Sequence, residues 1–103
     1  MREEIKNQIE QDIKNNKVVL YMKGTADSPM CGFSGRAVAI LRDLNVPFKD
    51  VNVLEDEGIR SGIKEYSEWP TIPQLYINGE FVGGSDIMAE MNESGELAKL
   101  LGR

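Results

Sequence analysis

The chain reads as a single α/β domain spanning residues 1–103, a four-stranded mixed sheet with helices on both faces. Three observations predict it. Apolar runs with the two periodicities follow one another in the order helix, β, α, β, α, β, β, α, α. The first two strands are joined through a helix, which calls for a parallel pair with a right-handed crossover. The last two strands flank Asn78-Gly79, the strongest short hairpin signal, and must run antiparallel.

Each element has its own local reason. Ile5, Ile9 and Ile13 recur every four residues among Glu, Lys, Gln and Asn, a helix with a narrow apolar stripe that ends at Asn15-Asn16. Val18 to Met22 is an unalternating apolar run, as expected of a central strand covered on both faces. A loop follows from Gly24 to Met30. Ala37, Ile40, Leu41 and Leu44 then share one helical face until Asn45-Val46-Pro47 ends the pattern. Phe48 to Val53 is a weak second strand, and Asp56 to Tyr66 a polar helix with Ile59 and Ile63 inward. Trp69-Pro70-Thr71-Ile72-Pro73 cannot be regular structure, because each proline lacks a donor and restrains its predecessor. Gln74–Ile77 and Glu80–Val82 form the hairpin. After Gly83-Gly84, Ser85 or Asp86 is expected to cap a short helix through Met91, and Leu97, Leu100 and Leu101 mark a last helix from about Ser94.

Composition narrows the function. Seventeen acidic residues against twelve basic give a formal charge of -5, which disfavours nucleic acid and anionic membrane surfaces as partners. No apolar run approaches the roughly 20 residues that cross a bilayer. The acidic N-terminus reads as neither a signal nor a transit peptide. A single cysteine, Cys31, forms no internal disulfide and suits a reducing compartment, so a cytoplasmic location is expected.

There is no histidine, and Cys31 is the one side chain that is both nucleophile and soft metal ligand. It falls at a strand–loop–helix junction, at the carboxyl end of the first strand, where such sheets bind ligands. A free cysteine has a pKa of about 8.5 and is only about 3% thiolate at pH 7; unpaired amides at a helix start lower that value. Gly32 would let the backbone approach closely. The plain alternative is a buried cysteine acting as a small hydrophobe.

Four segments in order carry a resemblance: Lys23-Gly24; Cys31-Gly32-Phe33-Ser34; Trp69-Pro70-Thr71-Ile72-Pro73-Gln74; and Asn78-Gly79-Glu80-Phe81-Val82-Gly83-Gly84-Ser85-Asp86. Over nearly its whole length the chain resembles the monothiol glutaredoxins of the Cys-Gly-Phe-Ser class, in the thioredoxin-fold family. Thr25 to Met30 is similar to the extra residues this class places before its cysteine.

The resemblance implies a thioredoxin-like fold, a cis Ile72-Pro73 bond facing Cys31, and glutathione as ligand. In that reading Lys23 and Arg60 neutralise the glycyl carboxylate and the Ile72 backbone pairs with the cysteinyl unit. Ser85 and Asp86 take the γ-glutamyl end on helix-start amides and a carboxylate. Each also has a plainer reading: Lys23 and Arg60 as solvated surface charges, Asp86 as an N-cap, Trp69 as a packing residue outside the site, and Phe33 as an apolar lid. The resemblance further implies a 2Fe-2S cluster bridging a homodimer through Cys31 and glutathione of each subunit, with roles in cluster storage and transfer. Apo iron-sulfur proteins and BolA-like proteins are the implied partners.

Two alternatives use the same residues. Cys31 could reduce protein–glutathione mixed disulfides, although such activity is typically poor in this class, or the domain could be a binding module in which Cys31 only packs. Ser34 in place of a resolving cysteine removes a dithiol route. Some members carry a second cysteine after the Gly-Gly pair; Ser85 stands there, so no disulfide joins positions 31 and 85.

Overall fold

Five consecutive buried residues, Val18–Met22, form the strand around which the rest is arranged. In the computed structural model, which describes residues 1–103, the elements are α1 (Glu3–Asn15), β1 (Val18–Met22), α2 (Gly32–Asp43), β2 (Lys49–Asn52), a 3-10 turn (Val53–Glu55), α3 (Glu57–Ser67), β3 (Gln74–Ile77), β4 (Glu80–Gly83), α4 (Ser85–Ser94) and α5 (Glu96–Leu100). The sheet order is β2-β1-β3-β4. β1 and β2 are parallel, while β1 with β3 and β3 with β4 are antiparallel. The expected mixed sheet with helices on both faces is therefore the fold. No helix is long and apolar enough to cross a membrane.

The unbroken apolar run of β1 divides between two cores because successive side chains leave a strand on opposite faces. Val18, Leu20 and Met22 join Ala37, Val38, Ile40 and Leu41 of α2, Met88 of α4, and Leu97. Val19 and Tyr21 join Ile5, Ile9 and Ile13 of α1, Ile59 and Ile63 of α3, and Tyr76. At roughly 25 cal/mol per Å² of apolar surface removed from water, these two layers supply most of the folding drive. Close approach of α1 to α3 depends on glycine: a Cβ at Gly62 would stand 2.5 Å from Ile5 Cγ2, and one at Gly58 2.8 Å from Ile5 Cδ1.

Caps fix the segments that border the loops. Asp56 Oδ1 accepts from the Gly58 and Ile59 N–H groups at 2.8 and 3.2 Å and starts α3. That helix stops at Glu68, in a left-handed conformation (φ 56°), directly before Trp69. Asn78 and Gly79 both have positive φ (53° and 81°), as a type I′ hairpin turn requires.

Three sequence expectations are corrected. Neither Ser85 nor Asp86 caps α4: Gly84 occupies that position without a side-chain bond, Ser85 and Asp86 lie in the first turn, and the helix continues to Ser94. Gly95, with φ 86°, separates it from α5, in which Leu97 is buried and Leu100 faces solvent, while Leu101, buried, follows as the C-cap. Val53 leaves the second strand for the 3-10 turn, because Asn52 Oδ1 accepts from the Leu54 N–H at 3.0 Å and turns the chain there.

Candidate functional site around Cys31

The Cys31 backbone is extended (φ -156°, ψ 150°), and its sulfur serves as the N-cap of α2, accepting from the Ser34 N–H at 3.4 Å. Ser34 Oγ is 3.6 Å from Sγ. This hydroxyl is fully buried and accepts from the Lys23 N–H at 3.0 Å. With its oxygen occupied by that amide, its proton is free to turn toward the sulfur once the thiol ionises.

Burial is the largest single influence on the Cys31 thiol and by itself pushes its pKa up. The Ser34 N–H and hydroxyl, the Phe33 N–H and the Lys23 charge act together in the other direction and prevail, leaving the pKa below its ordinary value. The thiol is partly exposed rather than sealed in the core. A nucleophile of this kind is a reactive cysteine rather than a packing residue. Around Gly32 the chain leaves open space: a Cβ there would meet nothing within 4 Å.

Beside this helix start lies a cleft of about 390 Å³, lined by Lys23, Phe33, Lys64, Trp69 to Pro73, and Gly84 to Ile87. A larger depression of about 700 Å³ lies elsewhere, bordered by α1, Tyr66 and the Asn78-Gly79 turn. It is more open and lies away from the thiol, so the smaller cleft is the candidate site. Of the residues expected from sequence, Lys23, Ile72, Ser85 and Asp86 share its wall; Cys31 does not line it but caps the helix whose first turn brings Phe33 to it.

Arg60 is not part of this wall. Its guanidinium is 4.0 Å from Glu57, three residues back along α3, whereas Lys64, one turn further on, lines the cleft. Two basic residues spaced i, i+4 share a helix face, and that spacing together with the approach to Trp69 was the available signal. Trp69, left outside the site on sequence grounds, also lines the cleft and is 41% exposed, its ring 6.1 Å from that of Phe81. Phe33 is 61% exposed at the cleft rim rather than closed over a core.

The Trp69–Pro73 segment is held from beneath by Gln74, which is fully buried. Its Nε2 donates to the carbonyls of Trp69 and Thr71, both at 3.1 Å, and its Oε1 accepts from the Tyr76 hydroxyl at 3.3 Å. The Ile72-Pro73 bond is cis. The Ile72 side chain packs into the core with Tyr76 and Val53, while its N–H and C=O have no partner within the chain. Its backbone is thus what Ile72 offers to a ligand. Opposite, the Ser85, Asp86 and Ile87 N–H groups open α4, whose first intrahelical bond is Met88 N–H to Gly84 C=O. Such a helix start favours a carboxylate. The Asp86 carboxylate is exposed and pairs with Arg36 at 3.2 Å.

A site with one activated thiol, two lysines, a free backbone pair and a helix start has counterparts among known proteins. The family model described as Glutaredoxin matches residues 18–82. Over 93 residues, 90% of this chain and 87% of the relative, the sequence is 62% identical to a probable monothiol glutaredoxin 2 of Rickettsia conorii. The chain belongs to the glutaredoxin family. The solution structure of reduced poplar apo GrxS14 is 54% identical to this glutaredoxin, with a TM-score of 0.85 over 95% of this chain and 90% of that one. A buckwheat glutaredoxin–glutathione complex, at 20% identity and a TM-score of 0.84, covering 99% of this chain and 94% of that one, is alike in fold alone. Family membership gives this glutaredoxin a glutathione-related redox function, and its lone cysteine makes it monothiol.

Proposed function

We propose that this glutaredoxin binds glutathione in the cleft beside Cys31 and, as a homodimer, carries a bridging 2Fe-2S cluster that it stores and passes to apo iron-sulfur proteins. The observation that carries the reading is a single ionisable thiol, partly exposed, capping the helix whose Phe33 lines a cleft of about 390 Å³ and influenced by the charge of Lys23 from the same wall. Lys23 and Lys64 suit the glycyl carboxylate and the Ile72 N–H and C=O the cysteinyl unit. The start of α4 with Asp86 suits the γ-glutamyl carboxylate and amine.

The donor set bears on the cluster. A 2Fe-2S cluster takes four ligands, usually thiolates. Each chain has one cysteine, and nowhere do three His, Cys, Asp or Glu side chains gather. The residues therefore fit a cluster as shared cargo, with two Cys31 thiolates and two bound glutathiones making the count. Met30 and Phe33, 66% and 61% exposed beside the thiol, leave that face open to a second chain. A BolA-like protein is the proposed hetero-partner and the cytoplasm the proposed location.

The depressed Cys31 pKa favours a second reading. Its thiolate attacks the glutathionyl sulfur of a protein mixed disulfide, a Cys31–glutathione disulfide forms, and the protein thiolate leaves. A second glutathione thiolate then attacks that disulfide, releasing oxidised glutathione and regenerating Cys31. One experiment separates the two: visible absorption, iron content and molar mass of protein prepared without oxygen, with and without glutathione, for wild type and Cys31→Ser. A coloured dimer that needs both the tripeptide and the thiol supports cluster carriage. Colourless protein with glutathione-dependent turnover supports the oxidoreductase, and a coloured dimer persisting without glutathione refutes the shared-ligand reading.

A further inference from the structure

The thiol's supporting groups, Lys23 and Ser34, are themselves held by a strand on the far side of the Gly24–Met30 loop. Within that loop the Met30 N–H donates to the Lys23 carbonyl at 2.9 Å, and Thr25 and Ser28 exchange backbone bonds at 3.1 and 3.2 Å. The loop is a small closed hairpin, and two of its amides point outward to β2. The Gly24 N–H donates to Asn52 Oδ1 at 2.9 Å, and the Ala26 N–H to Asp50 Oδ2 at 2.7 Å. Asn52 Oδ1 also receives the Leu54 N–H, which fixes the acceptor in place. No side chain fits at Gly24, whose Cβ would lie 2.5 Å from the Ser28 carbonyl and 2.6 Å from the Met30 nitrogen.

The geometry points to Asn52, seconded by Asp50, as a positioning residue for the Cys31 thiol: by holding the Gly24 and Ala26 amides it keeps the Lys23 N–H on Ser34 Oγ and the Lys23 ammonium beside the sulfur. Neither residue lines the cleft or bonds to Cys31 or Ser34. Gly24 directly follows Lys23, so a loop released from Asn52 carries Lys23 away from the site. Ser34 Oγ then loses the amide that orients it. The inference rests on Cys31 as the reacting thiol and is independent of whether cluster carriage or disulfide reduction is the outcome.

The test reads the pH midpoint of Cys31 alkylation by iodoacetamide, clean because the chain has no other thiol. In wild type the midpoint falls below the free-cysteine value of about 8.5. Asn52→Leu moves it up toward that value while circular dichroism shows the fold intact. The same substitution adds no shift in a Lys23→Met/Ser34→Ala background, which already lacks both groups through which it acts. Asn52→Ser, too short to reach Gly24, carries the same expectation should the leucine variant not fold. Protection of the Gly24 and Ala26 amides against hydrogen exchange in wild type is the variant-free check. An unmoved midpoint in Asn52→Leu, an equal shift in both backgrounds, or unprotected amides overturns the inference. A wild-type midpoint at the free-cysteine value would overturn the activated thiol itself, and is distinguishable on that ground.

Discussion

Replacing Lys64 by alanine should weaken glutathione binding, and replacing Arg60 should not, although both are half-buried bases on the same face of α3. Lys64 lines the cleft, whereas Arg60 is turned back toward Glu57. Two unit charges about 4 Å apart attract by about 1 kcal/mol in water and about 4 kcal/mol at a protein surface. Desolvation and side-chain ordering remove much of this, since exposed pairs measure only about 0.2–1 kcal/mol and hydrogen bonds to charged groups about 1.5–3 kcal/mol. For a half-buried lysine against a carboxylate, about 1 kcal/mol is the reasonable net value, or about a fivefold rise in Kd. Arg60→Ala should stay within about 0.5 kcal/mol, roughly twofold, as surface substitutions do. Calorimetric titration of glutathione into the Cys31→Ser protein, which binds without reacting, gives the ratios directly. The Lys64 effect should shrink between low and high salt as the charge is screened. Equal losses for both variants, or none for Lys64→Ala, would refute the assignment of this wall to the glycyl carboxylate.

Further expectations follow from individual contacts. Because the Cys31 pKa lies below its unfolded value, the unfolded chain binds more protons in the interval between the two. Wild type therefore gains stability relative to Cys31→Ser as pH rises through that interval, retains the full gain above about pH 8.5, and loses it as pH falls through the folded-state value; denaturant melts across pH 5–9 read the sign. Gly62→Val should cost about 1–3 kcal/mol by forcing α1 from α3, and each kcal/mol lowers Tm by about 4–8 °C, whereas Gly32→Ala, with open space around the new methyl, should not lower Tm. Arg36→Ala removes an ion pair whose side chains are 51% and 86% exposed, so thermal melts should show a loss under about 1 kcal/mol.

The parts of the fold that the sequence makes legible are those encoded by neighbours along the chain. Ile5, Ile9 and Ile13 define a helix stripe without reference to anything else, and Asn78-Gly79 demands positive φ wherever it occurs. The thiol's position follows similarly, because a cysteine at a helix start meets the unpaired amides of the first turn. What stays hidden depends on which way a side chain turns once the elements meet. No single local cue assigns Lys64 rather than Arg60 to the cleft: an acidic residue three before Arg60 is a pairing signal but a weak one, met here only at 4.0 Å. Nor does a weak edge strand announce that Asn52 reaches across to Gly24, a contact between residues 28 positions apart.

Trp69 reads as packing because large aromatics usually are buried. Here the chain leaves α3 through the left-handed Glu68 and Gln74 pulls the Trp69 and Thr71 carbonyls inward. With those carbonyls occupied, the polar groups left to this segment's outer side include the Ile72 N–H and C=O. An indole beside a free backbone pair is a surface for an extended peptide rather than a core residue. The site is thus produced as much by one buried glutamine satisfying two carbonyls as by the residues that face the ligand. Gln74→Leu, which removes both bonds and leaves the Tyr76 hydroxyl without its acceptor, should therefore impair glutathione binding more than Trp69→Ala, although Gln74 does not itself line the cleft; calorimetry on the Cys31→Ser background decides it, and a larger loss for Trp69→Ala would show that the indole, not the glutamine, organises this wall.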